Sequence, residues 1–120
     1  MNIEELRAYC VAKPYVEETF PFDESTLVFK VLGKVFLLTD IHEHPVQFNV
    51  KCDPERAIEL REKYSFVVPG YHMNKKHWNT VVCESGASGK LLKEFIDHSY
   101  EMVVKGLPVK DREKVRKALK

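Results

Sequence analysis

Three consecutive stretches between Thr26 and Lys51 leave this chain little choice of architecture. In Thr26–Leu32, Leu27, Phe29 and Val31 fall on one side of an extended backbone, whose side chains alternate with a period of two. Gly33-Lys34 follows as a two-residue connection with glycine first, the pattern of a type II′ hairpin turn. Val35–Asp40 returns as a second strand and Ile41–Pro45 connects it to a third. That third strand, Val46–Lys51, alternates most cleanly: Val46, Phe48 and Val50 inward, Gln47, Asn49 and Lys51 outward. Strands that are apolar on one side only belong to an antiparallel sheet with one wet face.

Helix signals surround this sheet. Asn2 caps a first helix with Glu5 at the reciprocal capping-box position, and Pro14 ends it. Ile3, Leu6 and Cys10 line its inner face beside Tyr9. Asp53-Pro54 places an acidic cap before a proline at the first helical position, and the helix reaches about Tyr64. Residues 65–78 read as a loop punctuated by Pro69-Gly70, and Asn79–Glu84 as a fourth strand. After the turn Ser85–Gly89, Ser88 caps a long helix through Lys105 with Leu92, Phe95, Ile96, Ser99, Met102 and Val103 as its inner stripe. Gly106 stops it, and Pro108 opens a final helix anchored by Val115 and Leu119. The expected fold is therefore α+β, an antiparallel sheet with helices packed on one face, in the order α-β-β-β-α-β-α-α. Residues 1–120 are expected to form one domain.

Composition narrows the function classes. The net charge of +1 argues against coating nucleic acid by bulk charge, and hydrophobic residues at 44% against charged residues at 31% suit a soluble globule. The charge is unevenly spread: residues 1–25 carry a net −4 and residues 105–120 a net +5. The ordinary meaning of the basic end is a solvated helix. No apolar run approaches a membrane span, and the polar, acidic start is unlike a targeting peptide, so the expected location is the cytoplasm. Three cysteines, Cys10, Cys52 and Cys83, stand far apart without a CxxC pair and read as small buried hydrophobes. No Walker A, GxGxxG or GxSxG sequence occurs. The acidic pairs Glu17-Glu18 and Asp23-Glu24 read as a solvated loop, with Phe20, Pro21 and Phe22 tucking it onto the core.

The unusual stretch is Pro69–Val81. It holds the single tryptophan, Trp78, with Tyr71, His72, Asn74, Lys75, Lys76, His77 and Asn79. Three roles compete for it. Trp78 fills the core while the histidines and asparagines bond the loop's own backbone. Alternatively, Lys75 and Lys76 meet phosphate, Asn74 or Asn79 meets a base edge or phosphate, and Tyr71 or Trp78 stacks. In the third role the histidines do chemistry or hold a metal. His72 and His77 are five apart and His42 and His44 two apart, but neither pair has the cysteine or carboxylate company of a zinc site. No metal or cofactor is expected.

Several segments together resemble the YjbR/MmcQ-like family of small bacterial proteins. They are Tyr9-Cys10 with Ala12-Lys13-Pro14, the hairpin around Gly33-Lys34-Val35-Phe36, Lys51-Cys52-Asp53-Pro54 with Leu60-Arg61, and Leu107-Pro108. Above all there is His72-Met73-Asn74-Lys75-Lys76-His77-Trp78-Asn79-Thr80-Val81. The resemblance covers almost the whole chain. It implies a compact α+β fold similar to bacterial frataxin-like proteins, and DNA binding through a double-wing arrangement of hairpins and loops. No iron ligand set carries over residue by residue.

The expectation is thus a non-enzymatic DNA-binding or accessory regulatory domain, monomeric by default. Its contacts would be Lys75, Lys76, Asn74, His77, His72 and Trp78, aided by Lys30, Lys34 or Lys51 and the C-terminal cations. The alternative is a small-ligand or protein-interaction module with the His72–Val81 loop as one wall of a pocket. An enzyme using His72 or His77 as general base comes third, because the sequence places no nucleophile or orienting acid beside either.

Overall fold

The computed structural model describes residues 1–70, 73–84 and 86–119. Ten elements run in the order α1 (Ile3–Val11), β1 (Val16–Thr19), β2 (Thr26–Val31), β3 (Lys34–Asp40), β4 (Gln47–Lys51), α2 (Pro54–Lys63), β5 (Val67–Pro69), β6 (Trp78–Val82), α3 (Gly89–Lys105) and α4 (Val109–Leu119). The strands form one sheet ordered β1-β2-β3-β4-β6-β5, with every neighbouring pair antiparallel. This is the expected α+β architecture with two short strands added at the rims. No helix among the described residues is long and apolar enough to cross a membrane.

Both added strands carry weak local signals. Glu17 and Glu18 obscure β1, yet Glu18 lies opposite Phe29 in register and its carboxylate takes a paired contact from the Arg7 guanidinium on α1. That contact holds the Glu18 carboxyl below its usual range. β5 ends at Pro69, whose missing N–H is tolerated on an outer strand. Phe20 and Phe22 do not tuck onto the core: they are 46% and 72% exposed. Leu119 is likewise 58% exposed, leaving Val115, fully buried, as the anchor of α4.

The hairpin between β2 and β3 turns one residue earlier than its glycine suggests. Val31 pairs with Lys34, so the turn residues are Leu32 and Gly33, with φ of 45° and 83°. Two positive values make this a type I′ turn, whose twist matches the flanking strands. Gly33 accepts that conformation freely; Leu32 accepts it while packing partly against the core.

Helices cover one side of the sheet, with α3 lying over β2, β3 and β4. Leu27, Phe29, Leu37, Phe48, Val50, Val67 and Val81 share that side through the strand registers, and all are buried. Between Phe29 and Lys30 the register slips, leaving Phe36 as a bulge in β3. Its carbonyl is taken by the Ser99 hydroxyl at 2.5 Å, and the same hydroxyl accepts the Lys51 N–H at 2.8 Å. One fully buried serine thus ties α3 to two strands.

α1 is held to α3 by a separate cluster. The Tyr9 hydroxyl and the Lys13 ammonium both donate to Asp97 Oδ1, at 2.6 and 2.5 Å. Lys13 lies over the rings of Tyr9 and Tyr100, and the Tyr100 hydroxyl donates to the Pro14 carbonyl at 2.7 Å. This accounts for Tyr9, Lys13 and Pro14 in the opening segment. Burial, and for Tyr9 also the Asp97 contact, pushes both phenols up to about 12.

At the start of α2, Asp53 caps Glu55 and Arg56, and its own N–H donates to His98 Nε2 at 3.4 Å. Burial, with Arg56 nearby, holds His98 below its ordinary 6.5, so the folded chain favours neutral imidazole. The unfolded chain then takes up a proton first as pH falls. This contribution is fully present above about 6.5 and is lost as pH drops through the lowered folded value. Urea midpoints measured between pH 8 and 5 should therefore decline, and His98→Gln should flatten part of that decline. Identical pH profiles for the two proteins would refute the assignment.

Candidate functional site

The loop entering β6 is built around two residues. Gly70 donates its N–H to the Trp78 carbonyl at 2.9 Å and lies so close that a Cβ there would stand 2.8 Å from both Trp78 Cβ and Trp78 O. Asn74 organises the rest. Its side chain accepts the Lys76 N–H at 2.9 Å, and its carbonyl accepts the N–H groups of His77 and Trp78 at 3.3 and 2.9 Å. The His77 carbonyl accepts the Cys52 N–H at 2.7 Å, fastening the loop to the end of β4.

This geometry sorts the expected site residues. Lys75 and Lys76 are exposed at the turn, and Asn74 is exposed with Oδ1 committed to the loop backbone. His77 is half-buried; His72 and Tyr71 lie outside the described residues. Asn79 is no base reader. It is 2% exposed, faces the helices and donates to the Ala57 carbonyl at 3.3 Å. Its Oδ1 has no hydrogen-bond partner among the described residues.

Trp78 is half-buried and lies opposite Lys51 on the uncovered side of the sheet. There it forms one wall of a trough of about 910 Å³. The floor comes from Val35, Leu38, Asn49 and Thr80, and Met73 also lines it. The far end is made by Phe22, Thr26, Asp40, Glu43 and Gln47. Register separates the ends: Gln47 pairs with Val82 and Lys51 with Trp78, four steps along β4, or roughly 13 Å. Lysines gather at the Trp78 end, but none lines the trough among the described residues. α4 packs on α3 on the covered side, in a different layer from Trp78.

Phe22 and the Asp40–Gln47 corner were absent from the expected site. The one available signal is Phe22 itself, a large aromatic in an acidic segment. Its contribution to the trough depends on how β1 and β2 return it beside β3.

Among the described residues no group of three or more His, Cys, Asp or Glu side chains is placed to hold a metal ion. The three thiols are free, and burial raises each, Cys10 to about 12. They are protonated near neutrality and poorly nucleophilic.

Comparison with known proteins agrees with this architecture. A Deinococcus radiodurans protein, DR2400, described as a DUF419 domain, superposes with a TM-score of 0.88 at 42% identity, covering 95% of this chain and 87% of its own. A Pseudomonas syringae protein superposes at 0.73 with 25% identity, covering 85% and 98%. In sequence, "Uncharacterized protein YbdF" of Escherichia coli O157:H7 is 39% identical over 103 residues, 86% of this chain and 84% of that protein. "Uncharacterized protein YjbR" of Escherichia coli K12 is 34% identical over 112 residues, 93% and 95% of the two chains. The family model YjbR matches residues 11–102, from the end of α1 into α3. With the whole sheet inside that match and relatives aligned nearly end to end, the chain belongs to the YjbR family.

Proposed function

We propose that this chain is a binding domain that takes a small ligand on the open face of its sheet, with Trp78 as the platform. The observation carrying this reading is the half-buried Trp78 standing over a trough of about 910 Å³. That volume suits a small organic molecule, and the lining mixes apolar and polar side chains, as ligand sites do. The loop's hydrogen bonds spend its backbone on rigidity, so the platform is preorganised.

Trp78 is the single tryptophan, so its emission reports directly on the site. A panel of small planar compounds should give at least one saturable change in emission with a rise in melting temperature. Trp78→Ala should weaken that compound about 10- to 100-fold by calorimetry, the range of a lost stacking contact. A panel without a saturable response, or binding indifferent to Trp78→Ala, would sink the reading.

A second reading has its own observation. Lys75 and Lys76 are exposed beside the Trp78–Lys51 pair, and the family resemblance implies DNA contact through such loops and hairpins. In this reading the two lysines meet phosphate and Trp78 stacks. His77 and the exposed amide of Asn74 stand beside them. Labelled single- and double-stranded DNA, titrated at two salt concentrations, should then bind with a salt slope that Lys75→Ala/Lys76→Ala lowers by about 2. An unaltered slope would end this reading.

A further inference from the structure

We infer that the trough selects an organic cation: an amine or guanidinium carried on a planar or apolar body. The inference rests on the trough being a ligand site, and it names the chemistry of the occupant.

The charge of the lining points to a cation. Among the described residues lining the trough, the only charged side chains are Asp40 and Glu43. Neither is ion-paired: the salt bridges among the described residues are Arg7–Glu18 and Lys13–Asp97. Two uncompensated carboxylates on a concave wall attract a cation and repel an anion.

The two carboxylates are also held in place. Asp40 ends β3, and its Oδ1 accepts the His42 N–H at 2.9 Å, which fixes the turn. Glu43 accepts from the Gln47 amide at 3.4 Å, and the Thr39 hydroxyl donates to the Gln47 carbonyl at 2.6 Å. The corner is therefore drawn together by its own hydrogen bonds. No described residue supplies the carboxylate charge with a counterion.

An aromatic side chain stands at the same end. Phe22 is 72% exposed, more than any other large hydrophobic side chain among the described residues, and lines the trough at the same end as the carboxylates. Exposure of that size serves no packing purpose. An aromatic face beside carboxylates is the combination that receives ammonium and guanidinium groups. The occupant then lies with its cation at Asp40, Glu43 and Phe22, its body along Leu38, and its planar end against Trp78, roughly 13 Å away.

The test uses three probes of one shape: 4-phenylbutylamine, 4-phenylbutanol and 4-phenylbutyrate, followed by Trp78 emission at low ionic strength. The amine should bind at least tenfold tighter than the alcohol, and the carboxylate weakest. Asp40→Asn/Glu43→Gln, which keeps the shape and the oxygen that accepts the His42 N–H, should bring the amine down to the level of the alcohol. Equal binding of amine and alcohol, or a preference that survives the double substitution, overturns the cation inference while leaving the trough a ligand site. Tightest binding by the carboxylate overturns it in favour of the lysine end. Absence of any saturable response overturns both readings together.

Discussion

Ser99→Ala is expected to lower the unfolding free energy by about 2–4 kcal/mol, although it removes a single oxygen. The hydroxyl serves two groups at once, donating to the Phe36 carbonyl and accepting the Lys51 N–H. Ser99 is fully buried, so water does not replace it. Each orphaned group carries a desolvation penalty of about 1–3 kcal/mol. Alanine is the better helix former, by a few tenths of a kcal/mol, so α3 itself gains slightly. Any loss must therefore come from the seam between helix and sheet. Ser88→Ala provides the comparison, because Ser88 caps the same helix from an exposed position and should cost about 1 kcal/mol. Urea unfolding of the three proteins decides the matter. A Ser99→Ala midpoint equal to the parent's would show that the seam is held by apolar packing alone.

Gly70→Ala should cost about 2–3 kcal/mol and alter Trp78 emission. The added methyl would stand 2.8 Å from Trp78 Cβ and its carbonyl oxygen and 3.0 Å from its carbonyl carbon. Two of those three atoms are backbone, so no flexible side-chain tip can yield. Overpacking of this kind typically costs about 1–3 kcal/mol. Relief requires β5 and β6 to separate, which breaks the Gly70–Trp78 hydrogen bond and moves the wall of the trough. The same substitution at Gly89, where a Cβ meets nothing within 4 Å, should leave both stability and emission near the parent's. Full stability in Gly70→Ala would mean the close approach constrains nothing.

How much of this was readable beforehand depended on the range of the interactions. Capping by Asn2, Asp53 and Ser88 is a matter of three or four consecutive residues, and each cap forms where the sequence places it. The alternation through Phe48 and Val50 is equally local. The hairpin turn shifted because Gly33 fits either of two turn registers, and the bulge at Phe36 and the pairing of Val31 with Lys34 choose between them. β1 and β5 exist because longer strands beside them offer a partner; Val16–Thr19 and Val67–Pro69 have little pattern of their own. The site divides in the same way. Trp78 and its lysines stand together in the sequence and stay together in space. Phe22 and Glu43 come from two different connections and Asp40 from the end of β3, and only the sheet order brings them to one end of one trough.

The two short rim strands have a consequence of their own. A sheet's outermost strands present unpaired backbone groups on which a foreign strand can be laid, the usual route to runaway association. Here one rim is β1, which carries Glu17 and Glu18, and the other is β5, three residues ending in a proline that has no N–H to offer. Neither rim is a useful template for zipping on another chain. Extension by one more strand is thus disfavoured at both rims, and the broad face that carries Trp78 and Phe22 is the backbone-satisfied surface the sheet leaves open.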